Sequence, residues 1–346
     1  CDYFLHGYLF QSRTNSPRWQ KKNRLREFFF ASSQQSCSEM RISMNGIINI
    51  YKEQGYTSHD VVAKLRGILR MKKIGHTGTL DPDAVGVLPV CTGRATKLCG
   101  MITDWGKTYE AVMLLGTRTD TQDISGNILS QTEVNVTKIQ IMDVIGSFTG
   151  EYDQIPPMYS ALKHNGKKLY ELARQGIEIE RKPRRVNIKS ILINDINLED
   201  NDKTVTFTVE CSKGTYIRTL CEDIGNRLGC GACMQSLKRT RVGSFSIDNS
   251  YTLSQIEQMV QAGKTDEILT PIDEMFSDSR KVIISQEYDK LLYNGNKLPY
   301  NSIQGKNDVQ HNEDEQVRVY DKNDEFIGVY RFEGNEFVPV KMFYQP

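Results

Sequence analysis

No stretch of this chain approaches the ~18 consecutive apolar residues that a membrane-spanning helix requires, so no membrane role is expected. Its eight cysteines are scattered over 346 residues, without the density of a disulfide-stapled secreted domain. That usage fits a reducing compartment, the cytoplasm. Metal-ligand spacing is nearly missing too: Cys230-Gly-Ala-Cys233 is the one suggestive pair, and no second pair or nearby histidine completes a tetrahedral zinc set. His6, His59, His164 and His311 stand isolated and are assigned no role. The Gly/Thr/Lys-rich segment lacks the G-x-x-x-x-G-K-[ST] spacing of a phosphate-cradling loop, which argues against nucleotide hydrolysis. There is no internal repeat and no dinucleotide fingerprint.

What is present is unevenly distributed charge. The net charge is only +1, yet Lys64–Lys97 holds seven basic residues against two acidic ones. Lys163–Lys189 holds nine against three, Lys213–Arg241 six against two, and the chain beyond Asn301 leans acidic. One basic run is usually a solvated face. Three such runs around the most motif-like segments point to a nucleic-acid partner.

Residues 1–43 lack periodicity and read as an atypical leader, disordered or not native, with Met44 as the functional start. A strand is expected over Ile47–Tyr51, then Ser58 as the N-cap of a helix carrying Val61, Val62, Leu65, Ile68 and Leu69 at helical spacing. Alternation predicts strands over Tyr109–Leu115 and Val205–Cys211, while Ile217, Leu220, Ile224 and Leu228 predict a helix. After Pro271 the pattern becomes short strands with turn chemistry: Gln316–Tyr320, Glu325–Arg331 and Glu336–Phe343. Asn301–Gln316 reads as a flexible polar loop. The expected organisation is a mixed α and β domain over 44–276 and a small all-β domain over 277–346.

The densest chemical constellation is Lys72-Lys-Ile-Gly-His-Thr-Gly-Thr-Leu-Asp-Pro82, continuing through Thr92-Gly-Arg-Ala-Thr-Lys97. Pro82 biases Asp81 toward an extended conformation, so its carboxylate projects from a loop where Gly75 and Gly78 permit close backbone approach. Taken alone, Asp81 would read as a turn aspartate.

Gly75-His-Thr-Gly-Thr-Leu-Asp-Pro82 closely resembles the catalytic motif of the tRNA pseudouridine synthase B (TruB) family. The resemblance continues through Lys107-Thr-Tyr109, Thr117-Arg-Thr-Asp120, Pro156–Lys163, Lys213–Thr219 and Leu237-Lys-Arg239, covering roughly 44–276. It implies an α+β pseudouridine synthase fold, with a mixed, largely antiparallel sheet flanked by helices and a small C-terminal β domain similar to the RNA-binding PUA module. It also implies isomerisation of uridine to pseudouridine in the T-loop of tRNA, at position 55. Carried over by motif, Asp81 is similar to the essential aspartate, Tyr109 to the tyrosine packed on the target base, and Arg218 to the arginine paired with the aspartate. Leu237 corresponds to a pocket wall and His76 to the histidine that helps place the flipped nucleotide.

That chemistry breaks the ribose C1′ to uracil N1 bond and rebuilds it through C5, so it calls for a carboxylate and proton transfer but no cofactor and no metal. Arg218, in the first turn of a helix starting near Tyr216, opposes the helix dipole by ~0.3–1 kcal/mol and is expected to have an anionic partner. The segment near 151–185, with Lys163, Lys167, Lys168, Tyr170, Arg174, Arg181, Arg184 and Arg185, has the basic and aromatic makeup of an RNA clamp for the T-arm. The expected partner is tRNA, bound by a monomer with no obligatory protein partner. The rival reading is a tRNA-folding chaperone in which catalysis is secondary.

Overall fold

A computed structural model describes residues 44–305 and 312–344. The leader expected over 1–43, with His6, and part of the polar loop, with His311, lie outside them.

The described chain opens with β1 (Gly46–Lys52), almost wholly buried, and turns into α1 (Ser58–Leu69). The N-cap of α1 is Thr57, not Ser58: Thr57 and Asp60 form a capping box that satisfies the first amides reciprocally. Ser58 is thereby freed for a different bond, described below. The short β2 (Ile74–His76) leads through a loop into the buried β3 (Val85–Thr92), and α2 (Cys99–Thr103) precedes β4 (Lys107–Leu115). In β4 buried and half-buried residues alternate, the period-2 signature of a sheet with one face on a core. A hairpin of β5 (Thr117–Thr119) and β6 (Ile128–Gln131) is followed by α3 (Lys138–Gly146) and β7 (Gly150–Gln154). A second, minute hairpin pairs β8 (Lys163–His164) with β9 (Lys167–Lys168) and runs into the one-turn α4 (Leu169–Ala173).

The long β10 (Arg184–Asn197) and β11 (Thr204–Cys211) then lead to α5 (Ile217–Leu228), whose Ile217, Leu220, Cys221 and Ile224 face inward. Leu220 and Ile224 are fully buried, each worth about 1.5–3 kcal/mol relative to exposure. Gly229, at φ +79°, ends α5 in the left-handed conformation that glycine adopts without a Cβ penalty. After β12 (Ala232–Val242) come β13 (Phe245–Ser246), α6 (Leu253–Gln261) and β14 (Leu269–Pro271).

Apart from the two hairpins, these strands form a ten-stranded sheet in the order β14-β1-β3-β12-β4-β11-β10-β7, with β2 paired to β3 and β13 to β12 off that path. Neighbouring pairs are antiparallel except β12 with β3, so the sheet is mixed and largely antiparallel, as expected. The larger core lies where α3 and α5 cover β4, β11 and β12; a second fills the space under α1 and α6.

Beyond it, β15 (Arg280–Ile283), α7 (Asp289–Tyr293), β16 (Leu298–Pro299), β17 (Gln316–Tyr320), β18 (Phe326–Glu333) and β19 (Glu336–Met342) build a small all-β unit around its own core. Its five-stranded sheet runs β15-β17-β18-β19-β16. Arg94 pairs with Glu325 at 3.2 Å and the Lys97 ammonium donates to the Met342 carbonyl at 2.8 Å. Two motif cations are thus used for contact between the two sheets.

Candidate active site

The loop between β2 and β3 carries Asp81, and almost every residue around that aspartate is tied to something buried. Thr77 bonds twice to the Pro89 carbonyl, through its amide and its hydroxyl. The Leu80 amide donates to Ser58 Oγ at 2.9 Å, the bond that Thr57 capping leaves available. The Lys52 ammonium, at the end of β1, donates to the carbonyls of Pro82 at 3.0 Å and Ala84 at 2.6 Å. From the far side, Arg239 Nη1 reaches the Thr79 carbonyl at 3.4 Å and Nε the Val87 carbonyl at 2.7 Å. A Cβ at Gly86 would lie 2.1 Å from the Arg239 carbonyl oxygen, so only glycine lets β3 and β12 approach here.

Asp81 itself is left 40% exposed, its carboxylate gripped by a guanidinium that is 6% exposed: Arg218 Nε lies 3.0 Å from Oδ2 and Nη2 donates to Oδ1 at 3.3 Å. This two-point fork matches the planar geometry in which arginine and carboxylate pair best. Arg218 sits where expected, in the first turn of α5. Its remaining N–H groups donate to the carbonyls of Thr121 at 3.0 Å and Tyr159 at 2.8 Å. Asp123 stands behind, its Oδ2 3.8 Å from Arg218 Nε, and is held by Thr121 and Ser125. Two carboxylates therefore offset one buried cation.

Tyr109 is buried on β4, directly across from Arg239 on β12. Burial pushes its phenol above the ordinary tyrosine range, and the Arg239 charge opposes that rise. Leu237, 8% exposed on β12, faces the same core. His76 ends β2, half-buried, and its Nδ1 accepts from the Gly78 amide at 3.4 Å. Burial holds its imidazole below the usual histidine range, with His59 adding to the effect. The two rings meet edge to face at 5.2 Å. His59, which the sequence left isolated, is therefore a neighbour of the site: the start of α1 lies against the end of β2.

The expected clamp is only partly free for RNA. Lys163 and Lys167 are exposed on the β8–β9 hairpin, and Tyr170 is flanked by Lys168 and Arg174 at 5.3 and 5.5 Å from its ring centre. Arg185 is instead engaged by Asp153 and Glu151, and Arg181 by Glu178 and the Pro156 carbonyl. The hairpin connects to the site through Tyr159, whose carbonyl meets Arg218, and Ser160, which accepts from the Tyr170 amide.

Sequence reasoning brought together Asp81 and Arg218 but missed Lys52, Ser58, Asp123 and Arg239. Asp123 follows Thr117-Arg-Thr-Asp120 and Arg239 closes Leu237-Lys-Arg239, so both had a signal; Lys52 merely ends an apolar run. Cys230 and Cys233 are buried free thiols, the latter pushed up to about 11 by burial. Among the described residues no group of three or more His, Cys, Asp or Glu is placed to hold a metal, and no helix is long and apolar enough to cross a membrane.

Comparison with known proteins agrees with this geometry. Residues 66–217 match the model of the TruB family pseudouridylate synthase N-terminal domain, and 218–277 that of the tRNA pseudouridylate synthase B C-terminal domain. The chain is 52% identical over 306 residues to tRNA pseudouridine synthase B of Lachnoclostridium phytofermentans, covering 87% of this chain and 100% of that protein. It is 50% identical over 260 residues to the same-named protein of Alkaliphilus oremlandii, covering 75% and 85%. Among solved structures it is similar to a Cbf5-Nop10-Gar1 complex, at 28% identity and TM-score 0.62 over 88% of this chain and 87% of that one. A chain of an H/ACA RNP bound to substrate RNA containing 2′-deoxyuridine gives 26% identity and TM-score 0.61, covering 88% and 86%. Fold and site together define a pseudouridylate synthase. Within that class, the chain belongs to the TruB family.

Proposed function

We propose that this protein converts uridine to pseudouridine in the T-loop of tRNA, at position 55, without a cofactor. The observation that carries the reading is the Asp81–Arg218 fork: a half-exposed carboxylate, oriented at two points by a buried guanidinium, on a loop anchored from several sides. A uridine in a folded RNA loop must first leave its stack, at a cost of a few kcal/mol. Exposed cations on the β8–β9 hairpin and His76 at the loop's edge offset that cost by holding the RNA and the extruded nucleotide. Asp81 then acts on the nucleotide as N1 separates from C1′; the base turns, C5 bonds to C1′, the C5 proton leaves and N1 gains one. Tyr109 and Leu237 pack on the base, while Lys163, Lys167, Tyr170 and Arg174 grip the T-arm. Residues 44–276 form the catalytic domain and 277–346 a PUA-like domain; the protein acts as a monomer in the cytoplasm.

The test is to incubate the protein with unmodified tRNA transcript and chelator, map pseudouridine chemically, and run Asp81→Asn in parallel. One T-loop pseudouridine is expected from the wild type and none from the variant, with tRNA binding retained. Wild type that binds tRNA and modifies nothing would move the protein to the chaperone reading.

A further inference from the structure

Arg239 is the largest of the fully buried side chains, and its charge is answered by no carboxylate among the described residues. Arginine does not shed its proton, so a cation sits permanently inside the sheet. Burying one is costly unless its donors are occupied and its charge is used. Two donors are occupied, by the carbonyls of Val87 and Thr79. The third nitrogen, Nη2, is buried and has no hydrogen-bond partner. The group sits between β3, which leaves the Asp81 loop, and β4, where Tyr109 is its cross-strand neighbour. It also lies under the backbone of that loop, where a Cβ on Gly78 would be 3.6 Å from Nη1.

We propose that Arg239 is a positioning residue that acts through Tyr109, fixing the phenol against the Asp81 loop and favouring negative charge on its oxygen with the uncommitted Nη2. A purely structural staple would need only the two carbonyl bonds. A guanidinium with an unused donor facing a phenol does more, because any charge that develops on that oxygen meets a cation already in place, with no solvent to reorganise. Besides Arg239 on β12, the groups facing Tyr109 are Cys211 on β11 and Asp81 in the loop. Burial pushes the Cys211 thiol up to about 11, so it carries no charge near neutrality. Arg239 is thus the one permanent positive charge in that set.

The experiment places 3,5-difluorotyrosine, whose phenol ionises near neutral pH, at position 109 of the full chain and follows its ionisation by fluorine NMR. It is run in wild-type, Arg239→Lys and Arg239→Gln backgrounds. The inference rests on the isomerase reading only for its second arm, single-turnover rates with saturating tRNA transcript; the titration needs no RNA, so the two can fail separately. Expected is an ionisation moved to higher pH by about tenfold in proton concentration in Arg239→Gln, with Arg239→Lys closer to wild type. In the rate arm, Arg239→Gln should fall about 100-fold and Arg239→Lys about tenfold, each with RNA affinity within threefold of wild type. If Arg239→Gln does not fold, Arg239→Lys carries the test alone, by a smaller shift in the same direction. An unmoved titration, or rate and affinity falling together without rescue by lysine, would reduce Arg239 to a structural staple and overturn the proposal.

Discussion

The loop that carries Asp81 and the hairpin that carries Lys163 and Lys167 lie on the same molecule and differ in how they are held. The loop is fixed by Ser58, Lys52, Arg239 and Arg218, all buried and all from elements distant in sequence. The hairpin has two two-residue strands and a single turn of helix, over a small core in which Met158, Leu169 and Leu172 are buried and Tyr159, Leu162, Ala173 and Ile179 partly so. Groups that must meet a reacting atom to within a fraction of an ångström belong on the first kind of support. Groups that grip a charged backbone tolerate the second, because Coulomb attraction falls off slowly and long lysines adapt. Recognition and chemistry are thereby separable by mutation.

The sharpest way to break that division is Arg218→Lys. It keeps the charge but loses the fork, and the single-turnover rate should fall about 100-fold, or ~2.7 kcal/mol, with little change in RNA affinity. A comparable loss of affinity would mean that Arg218 serves the RNA and not Asp81. Next comes the triple charge reversal Lys163→Glu, Lys167→Glu and Arg174→Glu. Affinity should drop about tenfold or more at moderate salt and the salt dependence should flatten, while the rate at saturating RNA stays within about threefold. If saturating RNA does not restore the rate, the hairpin is part of the chemistry.

A smaller effect follows from Lys52. Burial lowers its ammonium from 10.5 to about 8, against the pull of Asp81 and Asp83. The unfolded chain therefore holds this proton more tightly than the folded one. The resulting penalty on stability is present below about pH 8 and disappears as pH rises toward 10.5. Activity should run the other way, because deprotonated Lys52 loses donors to Pro82 and Ala84. The rate should decline above about pH 8, and Lys52→Arg should extend it to higher pH; a limb that stays put in Lys52→Arg belongs to another group, with Lys107, also lowered to about 8, the first alternative. Smallest of all, Ser58→Ala removes the bond from the Leu80 amide and the longer one to the Leu80 carbonyl, and should cost about 1 kcal/mol in urea denaturation, with a rate loss of only a few fold.

Much of this was legible in the residues themselves. Strands with clean alternation, such as Gln316–Tyr320, fall where the pattern placed them, and Arg218 occupies the first turn of α5 as its spacing required. Asp81 and Arg218 were paired through motif resemblance, and the fold brings them together. What periodicity could not show was long-range support. Lys52 looks like the polar end of a strand until β1 is laid beside β3, and Ser58 looks like a cap until Thr57 takes that place with Asp60. Arg185 looked available for RNA because the acids that hold it, Glu151 and Asp153, lie on a neighbouring strand 34 and 32 residues earlier in sequence. Polar contacts between strands depend on register, and register is a property of the assembled sheet.

Within the ten-stranded sheet the one parallel strand pairing, β3 with β12, joins Val85 and Gly86 to Lys238 and Arg239. During synthesis at ~5–20 residues per second, roughly eight to thirty seconds pass between the emergence of Asp81 and that of Arg239. For most of that interval the nascent chain carries Asp81 without Arg218, which orients its carboxylate, and for all of it without Arg239, which lies under its loop. A ribosome-bound fragment ending before residue 239 is therefore expected to be inert toward RNA, and competence arrives late, with the last strand to slide into the middle of the sheet.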